Sequence, residues 1–329
     1  MYQGLGDASL KDGETVEIGV FTPPVEREYR DSLHKLLGHK GWEWVWQIDL
    51  SLDGRTDTLE NRFYVARRGD ALISNVCTFE SKGVGLLGHV WTPPEERRKG
   101  LCTRIFEKLM DDFRARGGGL MVLGTGFDTA PYHIYERFGF RGYHPGSGLM
   151  RYSTDDDFER KHFAPGAAKV VEPSWSAYPR IDLLAAEAEE YTKSIAWGKF
   201  HKTMLEDAWI YVMHGILETH NVSAALLESE STGAIVGYAW TVPDPRFPGT
   251  HLLDLYSHPN HPNGCAKLLG AMTWPGAKVT TYVEASLDVK VQALEGAGFT
   301  HEGTLVGHLV KKPDGDVADL VVYSRSRSS

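Results

Sequence analysis

Apolar and polar positions along the first half of the chain switch between two periods. TVEIGVF, from Thr15, reads as a strand. In VEREYRDSLHKLLGH the residues Tyr29, Leu33, Leu36 and Leu37 recur at helical spacing, which predicts an amphipathic helix. Three strands are then expected, RFYVARR from Arg62, ALISNVCTFES from Ala71 and VGLLGHVWT from Val84, with the turn material RGD and SKG between them. An antiparallel meander is the economical reading. Over residues 101–116 the period becomes helical again, with Ile105, Leu109, Met110 and Phe113 on one face and RGGG as the stop. LMVLGTG is a largely apolar strand, APYHIYERFG a short helix, and FRGYHPGSGLMRY a closing strand pair. Trp42, Trp44 and Trp46 alternate in GWEWVWQ, which fits a strand that packs on the sheet or lines a pocket, with Glu43 and Gln47 on its other side.

A similar order returns after a charged, turn-rich stretch at residues 155–166. AKVVEPS reads as a strand, YPRIDLLAAEAEEYTKSI and HKTMLEDAWIYVMHGILETH as helices, and VSAALLESES, AIVGYAWTVP and HLLDLYSHP as strands. The start of a helix at GCAKLLGAM, the strand AKVTTYVEA, the helix SLDVKVQALEGAGF and the strand THEGTLVGHLV follow. Two diverged copies of one α/β unit are expected, at residues 1–155 and 166–329, each a mixed, mostly antiparallel sheet with helices on both faces.

The length of 329 residues agrees with two domains. A formal net charge of −9, from 35 Lys and Arg against 44 Asp and Glu, argues against a general nucleic-acid or anionic-membrane binder, whose surface needs a positive field. The three cysteines, Cys77, Cys102 and Cys265, do not make a disulfide framework, and a reducing, cytoplasmic setting is expected. MYQGLGDASLKDGETVEIGV lacks the basic flank and apolar core of a signal peptide and no later segment keeps an apolar run of membrane-spanning length, so neither export nor anchoring is expected.

Chemistry enters at PPEERRKGLCTR, where three cations and a glycine stand at a join between strand and helix. A helix N-terminus presents unpaired N–H groups and partial positive charge, so it can seat a pyrophosphate, and Gly100 lets the backbone approach without a Cβ. The run from Pro94 through Arg97, Arg98, Lys99, Gly100, Leu101 and Cys102, together with Tyr135-Glu136-Arg137-Phe138-Gly139-Phe140 further on, resembles the GNAT superfamily of N-acetyltransferases. That family's acyl-CoA signature is Gln/Arg-x-x-Gly-x-Gly/Ala, here with cysteine in the last place, and its second mark is Tyr-x-x-x-Gly-Phe.

The resemblance implies that acetyl-CoA is the co-substrate, held by Arg97, Arg98, Lys99, Gly100, Leu101, Cys102 and Thr103. Its thioester would meet backbone N–H groups near Trp91 and Thr92 in a gap between the strands bearing GHVW and VLGTG. It also implies that Tyr135 protonates the leaving thiolate. Alternation on the GHVW strand puts Gly85, Leu87, His89 and Trp91 on one face, which makes His89 the nearest titratable group for the amine proton. Glu80, Asp49, Glu43 and His133 stand as alternatives able to hold a cationic amine. Cys102 is expected to fill the loop rather than act as a nucleophile.

In the second half Pro262 replaces the arginine, Gly264 arrives one residue early, and Leu294 stands in the tyrosine's place, so a degenerate domain is expected there. His258, His261 and Cys265 lack a fourth zinc ligand, and no metal is expected. The expected function is transfer of an acetyl group to a primary amine of a small molecule by direct attack. Polyamines, amino sugars, amino acids, antibiotic amines and a peptide N-terminus all stand as acceptors. Another acyl group, decarboxylation of an acyl thioester, or a non-catalytic binding module are the alternatives. Neither nucleic acid nor membrane is an expected partner, and the chain is expected to be a monomer or a homodimer.

Overall fold

The computed structural model describes residues 1–312 and 315–326. The chain divides into two compact units, one made of Met1–Phe158 and Ser174–Arg180, the other of Glu159–Pro173 and the chain from Ile181 onward.

The first unit runs β1 (Tyr2–Ser9), β2 (Thr15–Phe21), α1 (Arg27–Leu37), α2 (Trp42–Leu52), β3 (Glu60–Arg68), β4 (Ala71–Ser81), β5 (Val84–Trp91), α3 (Leu101–Ala115), β6 (Leu120–Gly124), α4 (Ala130–Arg137), β7 (Arg141–Gly142) and β8 (Leu149–Ser153). Its strands form one sheet in the order β1-β2-β3-β4-β5-β6-β8-β7. Every neighbouring pair is antiparallel except β5 and β6. The crossover through α3 allows that parallel pair, because parallel neighbours need a long connection. Ile105, Phe106, Leu109, Met110 and Phe113 of α3 are buried in a cluster with Val76 and Leu87 of the sheet and Tyr132 and Tyr135 of α4. Each such side chain removed from water contributes about 1.5–3 kcal/mol.

Two elements differ from the sequence expectation. GWEWVWQ is the start of α2, not a strand, so Trp42 and Trp46, four residues apart, fall on one side of a helix and Trp44 on the other. Trp42 is exposed, Trp46 meets Trp175, and Gln47 is buried with its amide donating to Ser51 one turn on. Tryptophan at every second position imitates a strand, but the burial of Ile48, Ser51 and Leu52 together with Gln47 follows the helical period. The edge strand β1 is largely exposed and broken by a bulge between Gly4 and Gly6, which leaves no apolar alternation to read.

The second unit contains α5 (Phe158–His162), β9 (Ala168–Val171), α6 (Tyr178–Glu187), β10 (Thr192–Ser194), β11 (Lys199–Phe200) and α7 (Glu206–His214), which continues as a π turn to Thr219. β12 (Ser223–Ser229), β13 (Ile235–Pro243), β14 (Thr250–Ser257), α8 (Gly264–Ala271), β15 (Lys278–Glu284), α9 (Asp288–Gly296), β16 (Thr300–Val310) and β17 (Val317–Arg325) follow. Parts of α5 and α6 belong to the first unit. The main sheet is ordered β9-β12-β13-β14-β15-β17-β16, which repeats β2-β3-β4-β5-β6-β8-β7, and again one pair alone, β14 with β15, is parallel. The chain is thus two tandem α/β units on one plan, with β10, β11 and β17 added to what the sequence pattern predicts; α6 ends at Glu187, and the end of YPRIDLLAAEAEEYTKSI, expected as helix, forms β10.

Candidate active site

β5 and β6 pair only from Val84–Leu120 to Leu86–Val122. Beyond that the ladder ends while both strands continue, so a wedge opens at their C-terminal ends. On its other side β5 pairs with β4, and the register slips between Gly88–Cys77 and Trp91–Asn75. Two residues of β5, His89 and Val90, thus face one of β4. His89 takes a φ of 52°, a left-handed conformation rare for a residue with a Cβ. The Asn75 amide donates to the His89 carbonyl at 2.6 Å, which fixes the bulge from the neighbouring strand.

The bulge corrects the expectation that Gly85, Leu87, His89 and Trp91 share a face. Leu87 packs in the cluster with α3 and α4. His89 instead meets Trp44 of α2 edge-on at 5.2 Å and Phe79 at 5.5 Å. The extra residue turns the chain over by one side-chain position. His89 is buried, with no partner for Nε2 among the described residues. Burial, then the nearby Lys40 and His39, pull its pKa down to about 3, so the ring is neutral and a weak base at physiological pH.

Past the bulge, the Trp91 ring carries the His39 ring on it at 3.9 Å and the Arg97 guanidinium at 5.1 Å, and Arg97 Nε donates to the Thr92 carbonyl. The Thr92 hydroxyl bonds that of Ser74 at 2.7 Å. Arg98, at φ 66°, is exposed, and its guanidinium has no partner among the described residues. Lys99 turns back to Glu96 at 2.9 Å, and Arg68 clamps Glu96 to Glu14 from the far side. Bonds from Arg68 and Lys99 lower the Glu96 carboxyl to about 2, so the clamp is ionised throughout the physiological range. Of the three cations predicted from sequence, Arg98 alone is uncommitted.

Gly100, at φ 96°, precedes α3 without a side-chain cap, and the first turn of α3 has no acidic residue. The first helical bond among the described residues runs from Arg104 N to Gly100 O, which leaves the N–H groups of Leu101, Cys102 and Thr103 at the open helix end. A Cβ on Gly100 would meet nothing closer than Lys11 Cγ at 3.5 Å, so the backbone conformation requires the glycine, not crowding. Leu101 is buried, while Cys102 and Thr103 are half-buried. Burial pushes the Cys102 thiol up to about 12, which keeps it protonated.

α4 is capped by Thr129, whose hydroxyl accepts from Tyr132 N, with Pro131 in the first turn. That start carries Tyr135 to a buried position beside Phe106 at 5.2 Å. Its hydroxyl has no hydrogen-bond partner among the described residues. Burial first, and then neighbouring Cys102, raise the phenol well above its usual value, so it remains a proton donor in neutral and alkaline solution.

Three of the four alternative groups are engaged elsewhere. Glu80 is buried and held by Arg116 at 2.6 and 2.9 Å. Asp49 pairs with His34 at 3.0 Å, and His133 lies exposed between Asp128 and Glu136. Glu43 stands at the start of α2. Sequence reading missed Asn75 and His39. A lone amide within ALISNVCTFES was the available signal for the first, and none marked the second.

The second unit differs at each corresponding point. β14 also leaves β15 after three pairs, but its register with β13 is unbroken from Pro243–His251 to Gly237–Ser257, so there is no bulge. A Cβ at Gly264 would lie 1.9 Å from Ser257 Oγ, so this glycine serves close packing of α8 on β14. Leu294 is fully buried where the first unit has Tyr135. Lys193 lies over the Tyr256 ring at 5.4 Å, Lys290 pairs with Glu190, and Asp254 accepts from Ser194 and Trp240. His258 stacks on Phe163 at 5.0 Å, and no group of three possible metal ligands occurs among the described residues. No helix among them is long and apolar enough to cross a membrane.

Residues 51–142 match a family model described as an acetyltransferase (GNAT) domain, and that segment holds β5, the bulge, the Gly100 loop and Tyr135. The matched segment lies wholly within the first unit. No curated protein matches the chain in sequence. Among solved structures it is similar to yncA from Salmonella typhimurium, solved with its cofactor acetyl-CoA, at 16% identity and a TM-score of 0.40, covering 50% of this chain and 95% of that one. It is also similar to a ribosomal-protein-alanine N-acetyltransferase from Brucella melitensis, at 19% and 0.36, covering 48% of this chain and 99% of that one. A phosphinothricin acetyltransferase from Sinorhizobium meliloti in complex with AcCoA matches at 15% and 0.37, covering 49% and 88%.

Proposed function

We propose that the chain is an N-acetyltransferase whose first unit moves an acetyl group from acetyl-CoA to the primary amine of a small molecule by direct attack. The observation that carries this reading is the wedge between β5 and β6, with a bulge on one wall and an uncapped helix N-terminus following the same strand. When bound, acetyl-CoA supplies an activated thioester.

This chain's residues have four tasks. The N–H groups of Leu101, Cys102 and Thr103 and the free Arg98 bind the pyrophosphate, as fits an uncapped helix start without nearby carboxylates. Arg97 and Lys99 shape the loop through Thr92 and Glu96. Backbone N–H groups of the bulge, around Trp91 and Thr92, polarise the thioester carbonyl. Tyr135 gives its phenolic proton to the departing sulfur as the new C–N bond replaces the C–S bond. The amine proton leaves to water or to an imidazole at the bulge, His89 or the more exposed His39. The low pKa of His89 makes it a weak acceptor for the amine proton it was expected to take, while its ring and backbone shape the bulge.

Cys102 takes no covalent part, because a thiol held near 12 is protonated and a poor nucleophile. The second unit, without bulge, tyrosine or open glycine turn, has no such site in this reading.

Calorimetric titration with acetyl-CoA tests it. One site per chain is expected, and Tyr135→Phe should keep that affinity while losing turnover. Absence of binding overturns the reading.

A further inference from the structure

A cavity of about 520 Å³ lies within the second unit, and every residue lining it belongs to that unit. The register of the sheet sets its floor. Ser223 of β12 stands opposite Thr241 of β13, Thr241 stands opposite Leu253 of β14, and His251 precedes Leu253 by two residues. Side chains alternate along a strand, so Ser223, Thr241 and His251 share the face that carries Gly237, whose Cβ position lies 3.1 Å from Leu268 of α8. α8 ends at Ala271, and Ala271, Thr273 and Trp274 line the cavity from the helix side. The Trp274 ring is held by the Arg325 guanidinium at 4.5 Å and by Phe299 at 5.4 Å. The site stands at the N-terminal end of β14, where that strand pairs with β15. It is therefore not the counterpart of the wedge, which opens at the C-terminal end of β5.

Three polar groups on this floor are unused. Thr241 is 1% exposed, and neither its hydroxyl nor His251 Nδ1 has a partner among the described residues. The half-buried Ser223 hydroxyl makes no hydrogen bond among them either. The other nitrogen of His251 bonds the main chain of Asn221, whose N–H is already given to Gly215, so the imidazole donates to the Asn221 carbonyl. Burial keeps the ring neutral, and Nδ1 thus presents a bare lone pair. A buried hydroxyl without a bond destabilises the fold, and valine would fill the same space without that cost, so threonine here calls for a ligand group that bonds it. Directly opposite side chains stand about 5 Å apart and diagonal ones about 7–8 Å, so one small molecule spans all three groups.

No lysine or arginine lines the cavity, and its one carboxylate, Glu172, is exposed just past β9, two strands away from Thr241. An anion would find no counter-charge there, and an ammonium beside Thr241 no carboxylate. A hydroxyl suits all three positions, since it donates to Nδ1 and accepts from Thr241 or Ser223. Trp274 offers an apolar surface for the C–H face of a ring. We propose that the second unit binds a neutral cyclic polyol, a monosaccharide or an inositol, in this cavity, with its hydroxyls on Ser223, Thr241 and His251 and its ring against Trp274. The site does not depend on the acetyl-transfer reading and gives the second unit a task of its own.

Saturation-transfer NMR and calorimetry on the full-length protein test this with D-glucose, D-galactose and myo-inositol, set against spermidine and inorganic phosphate. At least one of the cyclic polyols should bind, without competition from acetyl-CoA, and the panel separates a sugar from an inositol. Thr241→Val should weaken that binding at least tenfold, and the Tm of the free variant should rise or stay unchanged, because an unbonded buried hydroxyl has been removed. Thr241→Ser should restore most of the binding. Ser223→Ala, at a half-buried position on the same floor, should weaken binding as well, and none of the three variants should change acetyl-CoA affinity. No binding by any of the polyols, preference for spermidine or phosphate, displacement by acetyl-CoA, or indifference to both Thr241→Val and Ser223→Ala overturns the proposal. A fall in the Tm of free Thr241→Val also overturns it, since the hydroxyl would then serve the fold itself.

Discussion

Asn75 on β4 donates its side-chain amide to the main-chain carbonyl of His89 on β5 at 2.6 Å, across the point where the register of the two strands slips by one residue. A left-handed conformation at a non-glycine residue costs of order 1–3 kcal/mol, so surrounding bonds must hold it. Asn75 is fully buried and supplies one of them. If the bulge aims N–H groups at the thioester, Asn75→Ala should lower kcat about tenfold or more, with a much smaller change in acetyl-CoA affinity. Steady-state kinetics with calorimetry separates the two, and equal losses in both would mark Asn75 as a packing residue only.

Tyr135→Phe keeps the buried ring beside Phe106 and deletes the proton donor. Turnover should fall about 100-fold or more. Because the phenol is raised by burial, activity of the wild type should show no alkaline limb from this group at or below pH 10. A pH–rate profile of both proteins checks this, and an unchanged rate in the variant would take Tyr135 out of the mechanism.

His89 carries a pH signature of folding. Its folded pKa, near 3, lies below the unfolded value of 6.5, so between these the unfolded chain binds more protons. Its stabilising contribution is present above pH 6.5 and is lost as pH falls toward 3. His89→Asn removes the titration and tolerates the positive φ. Thermal melts from pH 7 to pH 4 should show a smaller drop in Tm for the variant, and parallel curves would contradict the burial of an ionisable ring.

Gly100→Ala tests conformation without crowding, since 3.5 Å of clearance exists on the nearest side. At a φ of 96° the methyl group should destabilise the protein by about 1 kcal/mol or more and weaken acetyl-CoA binding. Urea unfolding and calorimetry measure these. Unchanged values in both would show that the turn relaxes freely.

Arg98→Gln should reduce acetyl-CoA affinity more than Lys99→Gln, because Lys99 is already paired with Glu96. The difference should shrink as salt is raised from low to physiological levels. A salt series of titrations with the two variants decides it, and equal effects would mean that the Lys99–Glu96 pair opens on binding.

The sequence by itself determined the tandem α/β plan, most element positions, the glycine turn before α3 and the place of Tyr135 in α4. These follow from local spacing: apolar periods of two and 3.6, and a glycine whose backbone angle only its own residue type permits. It misassigned GWEWVWQ because alternating tryptophans imitate a strand, although the corresponding stretch of the second half reads as a helix. The tertiary structure alone decided the bulge, since a one-residue slip depends on the partner strand and on Asn75, and it alone sent His89 to the face opposite Leu87. It also decided which charges are free. Lys99 is neutralised by Glu96 through a clamp reaching Arg68 and Glu14, while its neighbour Arg98 has no partner among the described residues. Pairing across long sequence separations sets such balances, and no window of the chain contains it.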